Sequence, residues 1–132
     1  MGRQVNNICT LNNELDFNLV FKKGKIIKPT AAYVKATYLF VDDGEAKKVK
    51  TAVAVPSKFG NSVWRNRFKR LIRESVRRES KKLLEIISKT NSNLLIVYSP
   101  HKISLKNKKK LKFNEILPDV INIINAISEK GN

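Results

Sequence analysis

Between Val55 and Glu74 the chain reads VPSKFGNSVWRNRFKRLIRE, and within Arg65–Arg73 five residues are basic (Arg65, Arg67, Lys69, Arg70, Arg73) and none is acidic. Asn61 or Ser62 is placed to cap a helix, and the residues that follow keep helical spacing without Gly or Pro. At about 100° per residue, Trp64, Phe68, Leu71, Ile72 and Ser75 share one arc, while Arg65, Asn66, Lys69, Arg70, Arg73 and Arg77 share the neighbouring arc. A helix of this kind must lie on a core along one side and stay open along the next. The rest of the fold has to supply that core.

The cation arc is costly in isolation. Arg65/Lys69, Lys69/Arg73 and Arg73/Arg77 are like-charged pairs four apart, each unfavourable by roughly 0.2–0.5 kcal/mol. Arg65 and Arg67 also stand near the helix N-terminus, where the macrodipole disfavours each cation by roughly 0.3–1 kcal/mol. A face selected for solubility would interleave acids, as Glu74, Glu79 and Glu85 do further along. An external polyanion removes both penalties. The whole-chain balance agrees: the net charge is +16 and the pI near 10.2, which calls for nucleic acid or an anionic membrane surface. No apolar run approaches the roughly 20 residues of a membrane span, and no signal-peptide pattern follows Met1. A soluble, cytoplasmic, nucleic-acid-binding domain is expected.

The run Lys58-x-Gly60-x-Ser62-Val63-x-Arg65-Asn66-x-x-Lys69-Arg70-x-x-Arg73-Glu74 resembles, without a gap, the signature of the bacterial ribonuclease P protein subunit, K-x-G-x-A-V-x-R-N-x-x-K-R-x-x-R-E. Ser62 replaces Ala there, and Pro56-Ser57 stand where many members carry Ser-Lys. A second pattern, F-x-x-V-F-x-x-G, is met by Phe17, Val20, Phe21 and Gly24. The resemblance covers the order of elements from about Leu11 to Ile127.

At 132 residues the chain has room for one core. Residues 1–10 are read as a loosely held tail and 11–130 as a single domain. Asn13 suits the N-cap of a short helix with Asp16 as a capping-box partner; Leu15, Leu19 and Ile26 can face a core. Phe17 and Phe21, four apart, favour core packing on spacing alone. The resemblance implies instead that they border a cleft for a single-stranded RNA leader. Pro29 punctuates, and Ala31–Val41 then alternates as a strand. Its apolar face is Val34, Ala36, Tyr38 and Phe40; Tyr33, Lys35, Thr37 and Leu39 form the other, suited to base stacking and phosphate neutralisation.

Asp42-Asp43-Gly44 marks a turn, so Val49–Val55 is expected to return antiparallel, with Ala52 and Ala54 leaving room on the Lys50 face. The basic helix is expected to continue to about Lys89 and to end at Asn91-Ser92-Asn93. Leu94–Tyr98, apolar throughout, reads as a central strand covered on both faces. Residues 99–112 carry six lysines (Lys102, Lys106, Lys108, Lys109, Lys110, Lys112) and read as a long, mobile loop. In the last helix, Phe113–Lys130, the residues Ile116, Leu117, Val120, Ile123, Ile124 and Ile127 point inward, and Pro118 threatens a kink if the helix starts at Phe113. The expected class is α+β: a two-layer sandwich with one mixed, mostly antiparallel sheet, helices on one face and the order α-β-β-(β)-α-β-α. The resemblance adds a left-handed βαβ crossover.

No catalytic constellation is visible. Cys9 and His101 are single, which argues against a disulfide or a zinc site. Asp42, Asp43 and Glu45 cluster only within a turn. From residues alone the chain is a basic RNA- or DNA-binding domain; a ribosomal or other structural RNA-binding protein and a major-groove DNA reader are the alternatives. The resemblance implies the protein subunit of a ribonucleoprotein endonuclease that matures the 5′ end of tRNA. Hydrolysis would then be carried by a catalytic RNA with its Mg²⁺ ions and not by the protein, with no membrane partner and no requirement for a protein oligomer. It assigns Lys58, Gly60, Arg65, Asn66, Lys69, Arg70 and Arg73 to the catalytic RNA, and Phe17, Phe21, Tyr33 and Lys35 to the leader of precursor tRNA.

Overall fold

The structure, a computed structural model, describes residues 7–28, 33–42, 47–101 and 111–130. The first six residues, the break at Pro29, the start of a strand at Ala31, the turn at Asp43-Gly44 and five of the six lysines of the 99–112 segment lie outside the described residues. The chain runs β1 (Ile8–Thr10), α1 (Glu14–Lys23), β2 (Lys25–Ile27), β3 (Val34–Val41), β4 (Val49–Val53), α2 (Ser62–Arg78), α3 (Ser80–Thr90), β5 (Asn93–Pro100) and α4 (Phe113–Lys130).

The strands form one five-stranded sheet in the order β1-β4-β5-β3-β2. β5 is central, and Asn93–Tyr98 is buried without interruption, as its unbroken apolar run requires. It pairs antiparallel with β3, from Val34↔Pro100 to Val41↔Asn93, and parallel with β4, from Val49↔Leu94 to Val53↔Tyr98. The expected hairpin between β3 and β4 therefore does not form. A strand apolar on both faces gains most when it is flanked on both edges, and β5 takes that place. The link from β4 through α2 and α3 to β5 is the crossover that parallel neighbours need.

β1 pairs parallel with β4, Ile8↔Val49 to Thr10↔Thr51. Within the stretch read as a tail, Ile8–Thr10 thus belong to the sheet; three residues are too few for an alternation to register. With β2 antiparallel to β3, the sheet is mixed, with two pairings of each kind where an antiparallel majority was expected.

Val34, Ala36 and Tyr38 of β3, Val49 of β4 and Leu94, Ile96 and Tyr98 of β5 face a core completed by Phe68 and Ile72 of α2, Leu83 and Ile87 of α3, and Ile116, Val120, Ile123, Ile124 and Ile127 of α4. The opposite face carries a second cluster, Leu11, Val20, Leu95 and Val97, with Phe17, Leu39, Val41, Ala52 and Ala54 packed on it. Helices on one face thus describes α2, α3 and α4, while α1 crosses the other side. α1 meets the sheet through Phe17 and Val20, so Leu15 (76% exposed) and Ile26 (58%) do not face the core as expected. Asn13 does cap α1, accepting from the Leu15 N–H at 2.8 Å.

The single basic helix expected to reach Lys89 is two helices, broken at Glu79 (φ −98°, ψ 16°). A straight helix over residues 62–90 would run about 43 Å, against about 26 Å for the eight residues of β5; the break lets α3 return Leu83, Ile86 and Ile87 to the sheet. Asn91 ends α3 in the left-handed region, φ 52°. α4 does start at Phe113 and takes Pro118 into its body on the exposed side. Among the described residues no helix is long and apolar enough to cross a membrane.

Candidate nucleic-acid interface

The cation face is set up by the turn before α2. Asn61 Oδ1 accepts from the Trp64 N–H at 2.9 Å, and the Trp64 ring stacks on Phe68 at 5.6 Å between centroids and 12° between planes. Trp64 also closes over Gly60, where a Cβ would lie 3.1–3.2 Å from the indole. A side chain at Gly60 would therefore need the indole to shift by a few tenths of an ångström. The Gly60 carbonyl accepts from Arg65 Nε at 3.2 Å, so Arg65 is partly committed to the turn. Lys58, just before it, lies over the Phe59 ring at 5.6 Å.

Phe68, Leu71, Ile72, Ser75 and Val76 are buried, and the Ser75 hydroxyl donates to the Leu71 carbonyl at 2.8 Å. On the adjoining arc Asn66, Arg70, Arg73 and Arg77 are exposed, with Arg65 and Lys69 half-buried. Among the described residues no acid lies within ion-pair distance of these cations; the two recorded ion pairs are Lys47–Asp42 at 3.0 Å and Lys50–Asp16 at 3.3 Å. The arc is an uncompensated row of positive charge.

Across the sheet, Phe17 and Phe21 stack at 6.3 Å between centroids, 22° between planes. Phe17 is half-buried against the second cluster; Phe21 is 57% exposed. Core packing thus describes Phe17 in part, while the Phe21 ring lies largely open to solvent. Lys35 is half-buried on a strand position that alternates with the buried Val34 and Ala36. Tyr33 does not join it: it packs against the helix-side core, outside the regular strand. Its N–H donates to Asp119 Oδ2 at 2.7 Å and its carbonyl accepts from the His101 N–H at 2.7 Å. Burial raises the Asp119 carboxyl above its ordinary value, against the opposing effect of the Tyr33 and Val34 N–H groups.

Sequence reasoning did not find the Asp16–Lys50 pair, nor the pocket that joins the two surfaces. That pocket, of about 200 Å³, is walled by Phe17 of α1, Thr51, Ala52 and Val53 of β4, and Ile72 and Arg73 of α2. The small side chain of Ala52 leaves the expected room, and the cation at its rim comes from the motif helix. No single-chain pattern signals this, because it depends on where β4 lies relative to α1 and α2.

The profile of the ribonuclease P family matches residues 6–125. The ribonuclease P protein component of Finegoldia magna is 27% identical over 120 residues, 91% of each chain. That of Bacillus velezensis is 36% identical over 75 residues, 57% of this chain and 60% of its own. In fold, the chain is similar to the ribonuclease P protein from Thermotoga maritima, with a TM-score of 0.69 at 23% identity over 89% of this chain and 96% of that one. A Staphylococcus aureus ribonuclease P protein gives 0.66 at 17% identity, over 94% and 90%. With the uncompensated cation face and the family match over nearly its full length, the chain belongs to the bacterial ribonuclease P protein family, the protein component of a ribonucleoprotein that matures the 5′ end of tRNA.

Proposed function

We propose that this protein holds a catalytic RNA through α2 and guides the 5′ leader of precursor tRNA past α1, while the RNA and its Mg²⁺ ions cut the phosphodiester. Lys69, Arg70 and Arg73 meet phosphates of the catalytic RNA, with Asn66, Lys58 and the outer nitrogens of Arg65 extending the patch; Gly60 acts through the turn it permits. Phe21 offers an exposed ring to a leader base, Phe17 backs it, and Lys35 supplies a cation on the same side of the sheet. Tyr33, turned toward the helix-side core, takes part by fixing where β3 begins.

The observation that carries this reading is the row of α2 cations, without acidic partners among the described residues, in which Arg73 stands on the wall of the Phe17 pocket. Holding the leader beside the anchoring helix raises affinity for precursor over mature tRNA without a protein group at the bond that breaks. The test is reconstitution. Catalytic RNA, protein and Mg²⁺ should release the leader in one cut, and the salt dependence of protein–RNA binding should be steep. Replacing Lys69, Arg70 and Arg73 together by Ala should flatten that log–log slope by about 2–3 units. An unchanged slope in a folded variant removes α2 from the interface.

A further inference from the structure

Arg67 differs from the other cations of α2. Its Nε and Nη2 both donate to the carbonyl oxygen of Leu111, at 2.9 and 2.7 Å. Leu111 is 4% exposed and packs in the helix-side core, so the fork grips a fixed point where the chain enters α4. The next residue, Lys112, is held from both sides. Its N–H donates to Glu115 Oε1 at 3.2 Å, and its carbonyl accepts from the N–H groups of Glu115 and Ile116 at 3.0 and 3.3 Å. Arg78 adds a second link between α2 and this junction, its guanidinium 5.2 Å from the Phe113 ring centroid. Lys112 itself is exposed. The result is a solvent-facing ammonium on a pinned backbone, one residue from the contact with the motif helix.

We propose that Lys112 is a phosphate contact for the catalytic RNA and that Arg67 is a positioning residue, which sets Lys112 beside the α2 cations by holding Leu111. A cation already fixed in place gives up less freedom on meeting a phosphate than one on a free segment. Arg67 cannot be replaced by Lys in this role: a guanidinium presents two N–H groups to one carbonyl, whereas an ammonium is a point charge on a flexible stem. A phosphate would accept either. The proposal rests on the reading of α2 as the RNA-facing helix.

The experiment measures affinity for the catalytic RNA against salt for Lys112→Ala, Arg67→Lys, the two combined, and the Lys69/Arg70/Arg73 triple Ala variant, with a thermal midpoint for each. Lys112→Ala should flatten the slope by about one unit, so that raising salt from about 50 to 200 mM weakens binding roughly 3.5-fold less than in the unaltered protein. Arg67→Lys should weaken binding as much as Lys112→Ala although the charge is kept, and adding Lys112→Ala to it should change nothing further. Wild-type affinity in Arg67→Lys, or an unchanged slope in Lys112→Ala, overturns the proposal. If Arg67→Lys fails to fold, Lys112→Ala, altered only at an exposed side chain, still decides. The triple variant separates the two readings: an unchanged slope there removes α2 from the interface, while a flattened one beside an inert Lys112 removes this proposal alone.

Discussion

Phe17 on α1 and Arg73 on α2 line the same pocket, although the two helices cover opposite faces of the sheet. The pocket sits past the end of β1, where β4 continues to Val53 after its pairing with β1 has stopped at Thr51. An aromatic ring and a guanidinium at one opening suit a base and a phosphate. On the proposed reading, the leader at Phe17 would pass beside the catalytic RNA held at Arg73, so the two RNAs would meet at this opening.

That relationship predicts coupling. Phe17→Ala and Arg73→Ala should each weaken binding of leader-bearing precursor tRNA, and the double variant should differ from their sum by about 0.5–3 kcal/mol, as for residues sharing a cavity. Titrations with precursors of long and very short leaders check this; strict additivity would mean that the two side chains act independently.

Phe21 separates stacking from packing. At 57% exposure, Phe21→Ala should leave the thermal midpoint nearly unchanged and weaken leader binding by about 1–3 kcal/mol. Phe17→Ala should also lower stability, by less than the roughly 3–5 kcal/mol of a fully buried Phe, because its ring is only half-covered. Mature tRNA should bind both variants like the unaltered protein. Equal losses for precursors of every leader length would return the pair to a purely structural role.

How far the sequence reveals this arrangement depends on the range over which each feature is decided. The Asn13 and Asn61 caps, the buried face of α2 and the doubly covered β5 follow from local spacing and are found where spacing puts them. The partners of β4 do not, because strand neighbours are settled by which strand most needs cover on both edges. Single residues fail for the same reason. Leu15 has a helical position compatible with a core, yet only Phe17 and Val20 touch one. Tyr33 belongs by alternation to the Lys35 face, but it precedes the strand and packs on the other side. In the motif, Arg65 and Arg67 look alike as charges. One bonds Gly60 and the other Leu111, contacts that span 5 and 44 residues of chain.

Two glycines should respond unequally to a methyl group. At Gly24 a Cβ would clash with the Val20 carbonyl and lie 2.9 Å from both Thr37 Cγ2 and the Tyr38 carbonyl, so backbone would have to move. At Gly60 its nearest neighbours would be side-chain atoms of Trp64, at 3.1–3.2 Å. Overpacking typically costs about 1–3 kcal/mol, occasionally more. Gly24→Ala should fall at or above the top of that range and Gly60→Ala near the bottom, with a change in the fluorescence of Trp64, the chain's one tryptophan. Chemical denaturation of both variants provides the ranking; the reverse order would contradict the packing of α1 on β3.

The raised Asp119 carboxyl gives a pH dependence whose sign is fixed. Its native value lies above the ordinary one because burial disfavours the charge more than the Tyr33 and Val34 N–H groups favour it. The native state then binds this proton more tightly than the unfolded chain does. By linkage, its contribution to stability is fully present below the unfolded value, near about 3.9, and is lost as pH rises through the raised native value. Other carboxylates act in the opposite direction when held below their ordinary values, so the total curve need not show this slope directly. Asp119→Asn isolates it: the amide oxygen can still accept from the Tyr33 N–H, and nothing titrates. The difference in stability between the unaltered protein and Asp119→Asn should therefore fall with rising pH across that acid window and level off above it. Thermal midpoints from pH 3 to pH 8, an interval of about five units around that window, provide the measurement. A difference that grows as pH rises would mean that the N–H groups outweigh burial, and that Asp119 holds the start of β3 as a stabilised carboxylate.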